Sequence, residues 1–166
     1  PQEDLIYIAD SAFTPYGDLK ESDIIKRALL ISDFLVNKKK SKAIVIACNT
    51  ATAFAVNVLR DRFNIPIIGM EPAVKPALEV TLNKLVGVLA TSGTSKSAKF
   101  SALLERYSGD VKFFVQPCPG LVNAIERGSF DDPELFGLLE KYLANFKKNS
   151  VDTIVLGCTH FVYIKH

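Results

Sequence analysis

Short runs of β-branched and other apolar residues alternate with longer amphipathic segments along the whole chain. Strands buried on both faces read as near-continuous apolar runs, so this alternation predicts parallel sheets covered by helices, an α/β fold. The strand candidates are Leu5–Ala9, Ala43–Ala47, Pro66–Ile68, Val86–Ala90, Lys112–Gln116 and Thr153–Gly157. The helix candidates are Glu21–Asn37, Asn49–Phe63, Pro72–Leu82, Ser95–Tyr107, Gly120–Arg127 and Asp132–Lys148. In the first helix Ile24, Ile25, Ala28, Leu29, Ile31 and Leu35 form a stripe that faces a core. Asp132 and Pro133 make a cap and a first turn for the last helix, and Gly128 closes the one before it. The lysines at 38, 39, 40 and 42 read as a solvated helix end that complements the dipole.

One frame occurs twice. Ala43-Ile44-Val45-Ile46-Ala47-Cys48-Asn49-Thr50 aligns without a gap on Thr153-Ile154-Val155-Leu156-Gly157-Cys158-Thr159-His160, and an amphipathic helix precedes both at the same distance. Each half therefore reads helix, buried strand, Cys, then small polar residues. The expectation is two pseudo-symmetric three-layer α/β domains with mostly parallel sheets, over 1–70 and 71–166, with a boundary near Gly69–Pro72. Ligands of open α/β sheets bind beyond the carboxyl ends of the strands. Facing halves would set Cys48 and Cys158 across one cleft.

Composition excludes several classes. With 48% hydrophobic residues in 166 the chain can bury a core, and a net charge of +2 supplies no field for nucleic acid. No run approaches the roughly 18–20 apolar residues of a membrane span, and no signal-peptide pattern opens the chain, so a cytoplasmic home is expected. Three Cys without a CxxC make neither a disulfide framework nor a zinc site. A Gly-rich dinucleotide fingerprint, a P-loop and a metal-ligand cluster are all missing from the sequence, so no cofactor and no metal is implied.

Taken singly, a Cys at a strand end is a small core residue. A pair in matching frames, each followed by hydrogen-bonding side chains, can do more. Cys48 precedes a helix whose N–H groups and dipole favour thiolate. Two opposed monoprotic groups suit inversion of a carbon stereocentre: one removes a proton, and the conjugate acid of the other delivers a different one to the opposite face. Asn49, Thr50 and Thr159 stand beside the thiols as donors for a carboxylate. Asn49, Thr50 and Thr94 read equally as helix caps, Tyr16-Gly17 as a turn and Glu126 as a solvated charge. Cys118 has no counterpart in the repeat and is assigned to packing.

Pro15-Tyr16-Gly17, Cys48-Asn49-Thr50-Ala51, Ile67-Ile68-Gly69 with Glu71-Pro72, and Gly157-Cys158-Thr159-His160 together resemble the glutamate racemases of the aspartate/glutamate racemase superfamily. The likeness runs from about Leu5 to Thr159. It implies two α/β domains with the active site between them, and cofactor-independent interconversion of L- and D-glutamate for peptidoglycan. It casts Cys48 as the base for the D-isomer and Cys158 as the base for the L-isomer, with His160 and Glu126 assisting Cys158. It makes Tyr16, Gly17, Asn49, Thr50, Thr94 and Thr159 substrate-binding positions, glutamate the small-molecule partner and a homodimer the assembly to look for, with no nucleic acid or membrane.

The chain departs from that pattern in three places. A strand ending in Asp-Ser-Gly would precede Pro1, and a return to the first domain would follow His166; the first domain is therefore expected to be incomplete here, and this chain alone inactive. Asp10-Ser11-Ala12-Phe13-Thr14 and Ser92-Gly93 also differ from the usual residues. Two other readings stay open: a racemase of a related acid such as aspartate, and a non-catalytic dicarboxylate-binding module with structural thiols.

Overall fold

A computed structural model describes residues 3–109, 111–128 and 131–165. Pro1, Gln2, Asp110, Ser129, Phe130 and His166, and with them both extreme ends, lie outside the described residues. Among the described residues, five strands, all paired in parallel, form two sheets. In the first, β1 (Ile44–Ile46) pairs with β2 (Ile67–Gly69). In the second, the order is β4 (Lys112–Pro117), β3 (Leu85–Ala90), β5 (Thr153–Leu156).

The first sheet carries α1 (Glu21–Asp33), continued by a wide turn over Phe34–Lys38, and α2 (Asn49–Arg62). Ala28, Ile44, Ala55, Val56, Leu59, Phe63 and Ile67 fuse these elements into one apolar cluster. Among the described residues only this face is covered. Val45 and Ile68 sit opposite one another across the two strands and are 61% and 52% exposed on the other face, so this half shows two layers here, in keeping with the incomplete first domain expected from the sequence.

The second sheet has three layers. Val86, Val88 and Val155 pack against α3 (Val74–Val80) and α5 (Ala98–Tyr107). The alternate residues Leu89 and Leu156 pack against α6 (Leu121–Glu126) and α7 (Pro133–Lys148). Each buried Val or Leu contributes about 1.5–3 kcal/mol relative to exposure, so both faces must stay covered. Asp132 accepts from the Glu134 N–H at 2.9 Å and Gly128 ends α6 at φ 74, as read from the sequence.

Two expectations are corrected. Leu5–Ala9 forms no strand: it has no ladder partner among the described residues, and Leu5 and Tyr7 are each 85% exposed. An apolar run becomes a strand only when another strand satisfies its backbone. The single helix expected over 95–107 is instead α4 (Ser92–Lys96) followed by α5. Ser97 breaks it, its hydroxyl donating to the Thr94 carbonyl at 2.9 Å and accepting from the Phe100 N–H at 3.2 Å, with an extended backbone between. The remaining strands and helices fall within two residues of the expected bounds, apart from the end of α1.

Asp152 fixes where β5 begins. Its carboxylate accepts from the Thr81 hydroxyl at 2.7 Å, the Leu82 N–H at 2.7 Å and the Asn83 N–H at 2.9 Å. These donors, Thr81 first, pull its pKa down to about 2. A depressed carboxylate stabilises the fold above its unfolded value of about 3.9, and the contribution disappears as pH falls towards the folded value. Urea unfolding should therefore show the parent losing stability relative to Asp152→Asn between about pH 4 and pH 2; a difference flat across that window would refute the assignment.

Candidate active site

The strand ends converge. Cys48 follows β1 and Cys158 follows β5, and both hold the same extended backbone (φ −152, ψ 124 and φ −141, ψ 141) as the cap of a following helical turn. Gly157 sets the approach of the second thiol. Its N–H donates to the Leu89 carbonyl at 2.7 Å, and a Cβ there would lie 2.6 Å from that same oxygen. Only glycine lets the chain press so close to β3 before turning out at Cys158.

The Ala51 N–H donates to Cys48 Sγ at 3.4 Å, as a helix N-terminus should. Burial nevertheless dominates: it pushes the Cys48 thiol above its ordinary value, against the opposing pull of the Ala51 and Thr50 donors. Burial likewise drives Cys158 up to about 11, and the nearby Cys48 charge adds to the rise. The sequence argument for an easily formed thiolate at Cys48 is thus corrected. The donors are in place, but losing water costs an ion more than they return.

An imidazole–carboxylate pair lies beside Cys158. His160 Nδ1 lies 3.8 Å from Cys158 Sγ, and His160 Nε2 lies 2.5 Å from Glu126 Oε1 at the end of α6. Glu126 also borders an open cleft of about 330 Å³ shared with Ser11, Thr14, Asn123 and Arg127. Thr159, between Cys158 and His160, is half-buried at the start of a 3-10 turn (Thr159–Ile164).

Three hydroxyls knot the halves together. Thr50 Oγ1 on α2 is 2.9 Å from Thr91 Oγ1 and 3.0 Å from Thr94 Oγ1, and Thr91 and Thr94 are 3.0 Å apart. All three are almost fully buried. Thr91 was not picked out from the sequence. Its signal was available as the first of three hydroxyl residues at every third position, Thr91, Thr94 and Ser97. The capping alternatives are resolved: Cys48 caps α2, Thr91 caps α4 and Ser97 caps α5, which leaves Asn49, Thr50 and Thr94 inside their helices.

Asn49 is buried and its Oδ1 has no hydrogen-bond partner. Gly17 is buried against Thr91, where a Cβ would meet the threonine side chain at 2.5 Å. Tyr16 turns its phenol the other way and donates to Asp10 at 2.6 Å, so only the backbone of this pair is near the threonines. Cys118 is buried, as assigned from the sequence, with its Sγ 3.3 Å from the Gln116 carbonyl. Among the described residues, no three His, Cys, Asp or Glu are grouped to hold a metal ion, and no helix is long and apolar enough to cross a membrane.

Two buried thiols thus cap matching strand ends of an α/β scaffold, Cys158 beside an imidazole–carboxylate pair and Cys48 beside Thr50, a set of groups able to exchange protons. The family model for Asp/Glu/hydantoin racemases matches residues 1–166, and the chain belongs to that family. It is 51% identical over 166 residues to a Pseudomonas aeruginosa protein named glutamate racemase, covering 99% of this chain and 62% of that protein. It is 46% identical over 164 residues to a glutamate racemase of Methylococcus capsulatus, covering 60% of it. The solved glutamate racemase of Escherichia coli superposes with a TM-score of 0.83 at 31% identity, over 94% of this chain and 59% of that one. That of Bacillus anthracis gives 0.84 at 30% identity, over 96% and 60%. The chain thus spans less than two-thirds of the length of these relatives.

The raised thiols predict slow alkylation at neutral pH. Iodoacetamide should label Cys158 more than tenfold more slowly at pH 7 than a free thiol, with a rate that climbs until about pH 11. Labelling that levels off near pH 8.5 would refute burial as the controlling influence.

Proposed function

We propose that the protein carrying this chain interconverts L- and D-glutamate without a cofactor, by proton transfer at Cα between Cys48 and Cys158. The observation that carries the reading is the pair of thiols in matching strand-end frames, one backed by His160 and Glu126. In this reading one thiolate takes the Cα proton from one face while the opposite thiol delivers its own to the other, and the roles exchange with substrate handedness. His160, held by Glu126, takes up and returns the proton of Cys158. Domains over 1–70 and 71–166 would enclose the cleft, in a cytoplasmic enzyme that supplies D-glutamate for peptidoglycan.

The substrate would offset the burial that raises the two thiols. Its α-ammonium brings a positive charge beside two thiols that burial keeps protonated, and an opposite charge lowers their pKa towards neutrality. The unpartnered Asn49 Oδ1 is an acceptor for that ammonium. Thr50, Thr94 and Thr159, with backbone N–H groups at the helix start, face its carboxylates, where they stabilise the charge that develops on deprotonation. To do so the hydroxyls exchange their mutual bonds for bonds to the ligand. Glutamate itself is supported by relatives: the E. coli structure holds L-glutamate and the Francisella tularensis one D-glutamate.

The test is α-proton exchange in D₂O followed with optical rotation, for glutamate and aspartate in parallel, on the full-length protein. Exchange with loss of rotation for glutamate is expected. A folded protein that exchanges neither acid would reject the racemase, and exchange of aspartate alone would reject the substrate. Cys48→Ala should lose at least about 10³-fold in both directions, because each needs both carriers. His160→Asn should lose about 10–10²-fold in kcat, most in the direction that begins with deprotonation by Cys158, with KM shifting so that kcat/KM falls equally both ways, as an equilibrium constant of one requires; equal kcat losses in both directions would argue against the relay.

A further inference from the structure

The segment that carries Tyr16 and Gly17 is held by a charged strut that none of the reactive groups requires. The Asp10 carboxylate and the Arg27 guanidinium on α1 meet as a two-pronged pair, Nη2 to Oδ1 at 2.6 Å and Nε to Oδ2 at 2.9 Å. The Tyr16 phenol donates to the same Oδ2 at 2.6 Å. The Phe13 ring closes the other side, with the Arg27 guanidinium carbon 4.0 Å from its centroid. Both partners of the ion pair are largely withdrawn from water, at 24% and 14% side-chain exposure. Three residues of one loop thus converge on one arginine.

We infer that Arg27 is a positioning residue for substrate binding, holding Asp10, Phe13 and Tyr16 so that the Gly17 backbone is pressed onto the Thr91–Thr94 turn. The far end of the loop shows what the strut supports. Gly17 lies against the Thr91 side chain, and a Cβ on Gly93 would come within 3.1 Å of the Gly17 carbonyl. No freedom is left there for the loop to shift by a side chain's width. A fork that makes two parallel bonds fixes orientation as well as distance, which a point charge does not. The arginine therefore sets where the first-half wall of the cleft stands relative to the threonines of the second half. It reaches the substrate only through the loop, so its effect belongs to binding rather than to proton transfer.

This inference rests on the racemase reading for its kinetic test, and a second readout stands apart from it. Arg27→Met and Arg27→Lys would be made in the full-length protein. KM for glutamate should rise roughly tenfold in Arg27→Met, with kcat within about twofold, while the melting temperature falls because the Asp10 carboxylate loses its partner. Arg27→Lys keeps the charge and loses the fork, so it should fall between the two. Tyr16→Phe removes one bond to the same carboxylate and should raise KM by a smaller factor. Backbone amide exchange over residues 16–19 should quicken in Arg27→Met without glutamate present. Unchanged KM and unchanged amide exchange would overturn the inference, as would kcat and melting temperature falling together in both Arg27 variants. If the parent does not racemise glutamate, the functional reading fails by itself, and the strut is then judged by amide exchange alone: faster exchange upholds the positioning of the loop and parent-like exchange refutes it.

Discussion

The contact between Thr50 and the Thr91–Thr94 pair is the joint on which the site depends. Among the described residues the two sheets share no backbone hydrogen bond, so their relation is set by what meets between them. Three buried hydroxyls within 3.0 Å of one another, with Gly17 and Gly93 packed alongside, hold the start of α2 against α4. Since α2 begins at Cys48 and β3, which leads into α4, lies beside β5, that contact brings the strand end bearing one thiol towards the strand end bearing the other. Hydroxyls suit such a joint better than apolar side chains: each can donate and accept, so the knot is satisfied when empty and can reopen to a ligand without stranding a polar group.

Protonation of the two thiols follows from the same enclosure. A cleft that excludes water makes hydrogen bonds and charges count for more, and it penalises any ion formed without a partner. Both thiols are held in their neutral form by that penalty, even though Cys48 has a helix N–H directed at its sulfur.

Much of the scaffold was legible because burial on both faces writes itself into composition. The runs at Val86–Ala90 and Thr153–Leu156 are apolar at almost every position, and the duplicated frame around Cys48 and Cys158 marked both strand ends. Leu5–Ala9 has the same local character and forms no strand, because strand formation is settled by a ladder partner elsewhere in the chain. The break at Ser97 was written in the three-residue spacing of hydroxyls, although the apolar period ran across it. The protonation of Cys48 was misread because the helix N-terminus is local and visible, whereas desolvation arises from tertiary packing. Asp10 and Arg27 stand in unrelated segments and match no motif; only the folded loop brings them together.

The order β4-β3-β5 also bears on the chemical durability of the site. Cys118 and Cys158 belong to one apolar cluster and leave the sheet at the ends of β4 and β5. Because β3 runs between them, their backbones are separated by about two strand spacings, roughly 9.5 Å. A disulfide requires Cα atoms closer than about 7 Å. Under oxidising stress the buried spare sulfur therefore cannot capture its neighbour as a disulfide unless the sheet comes apart, and the central strand serves as an insulator between them.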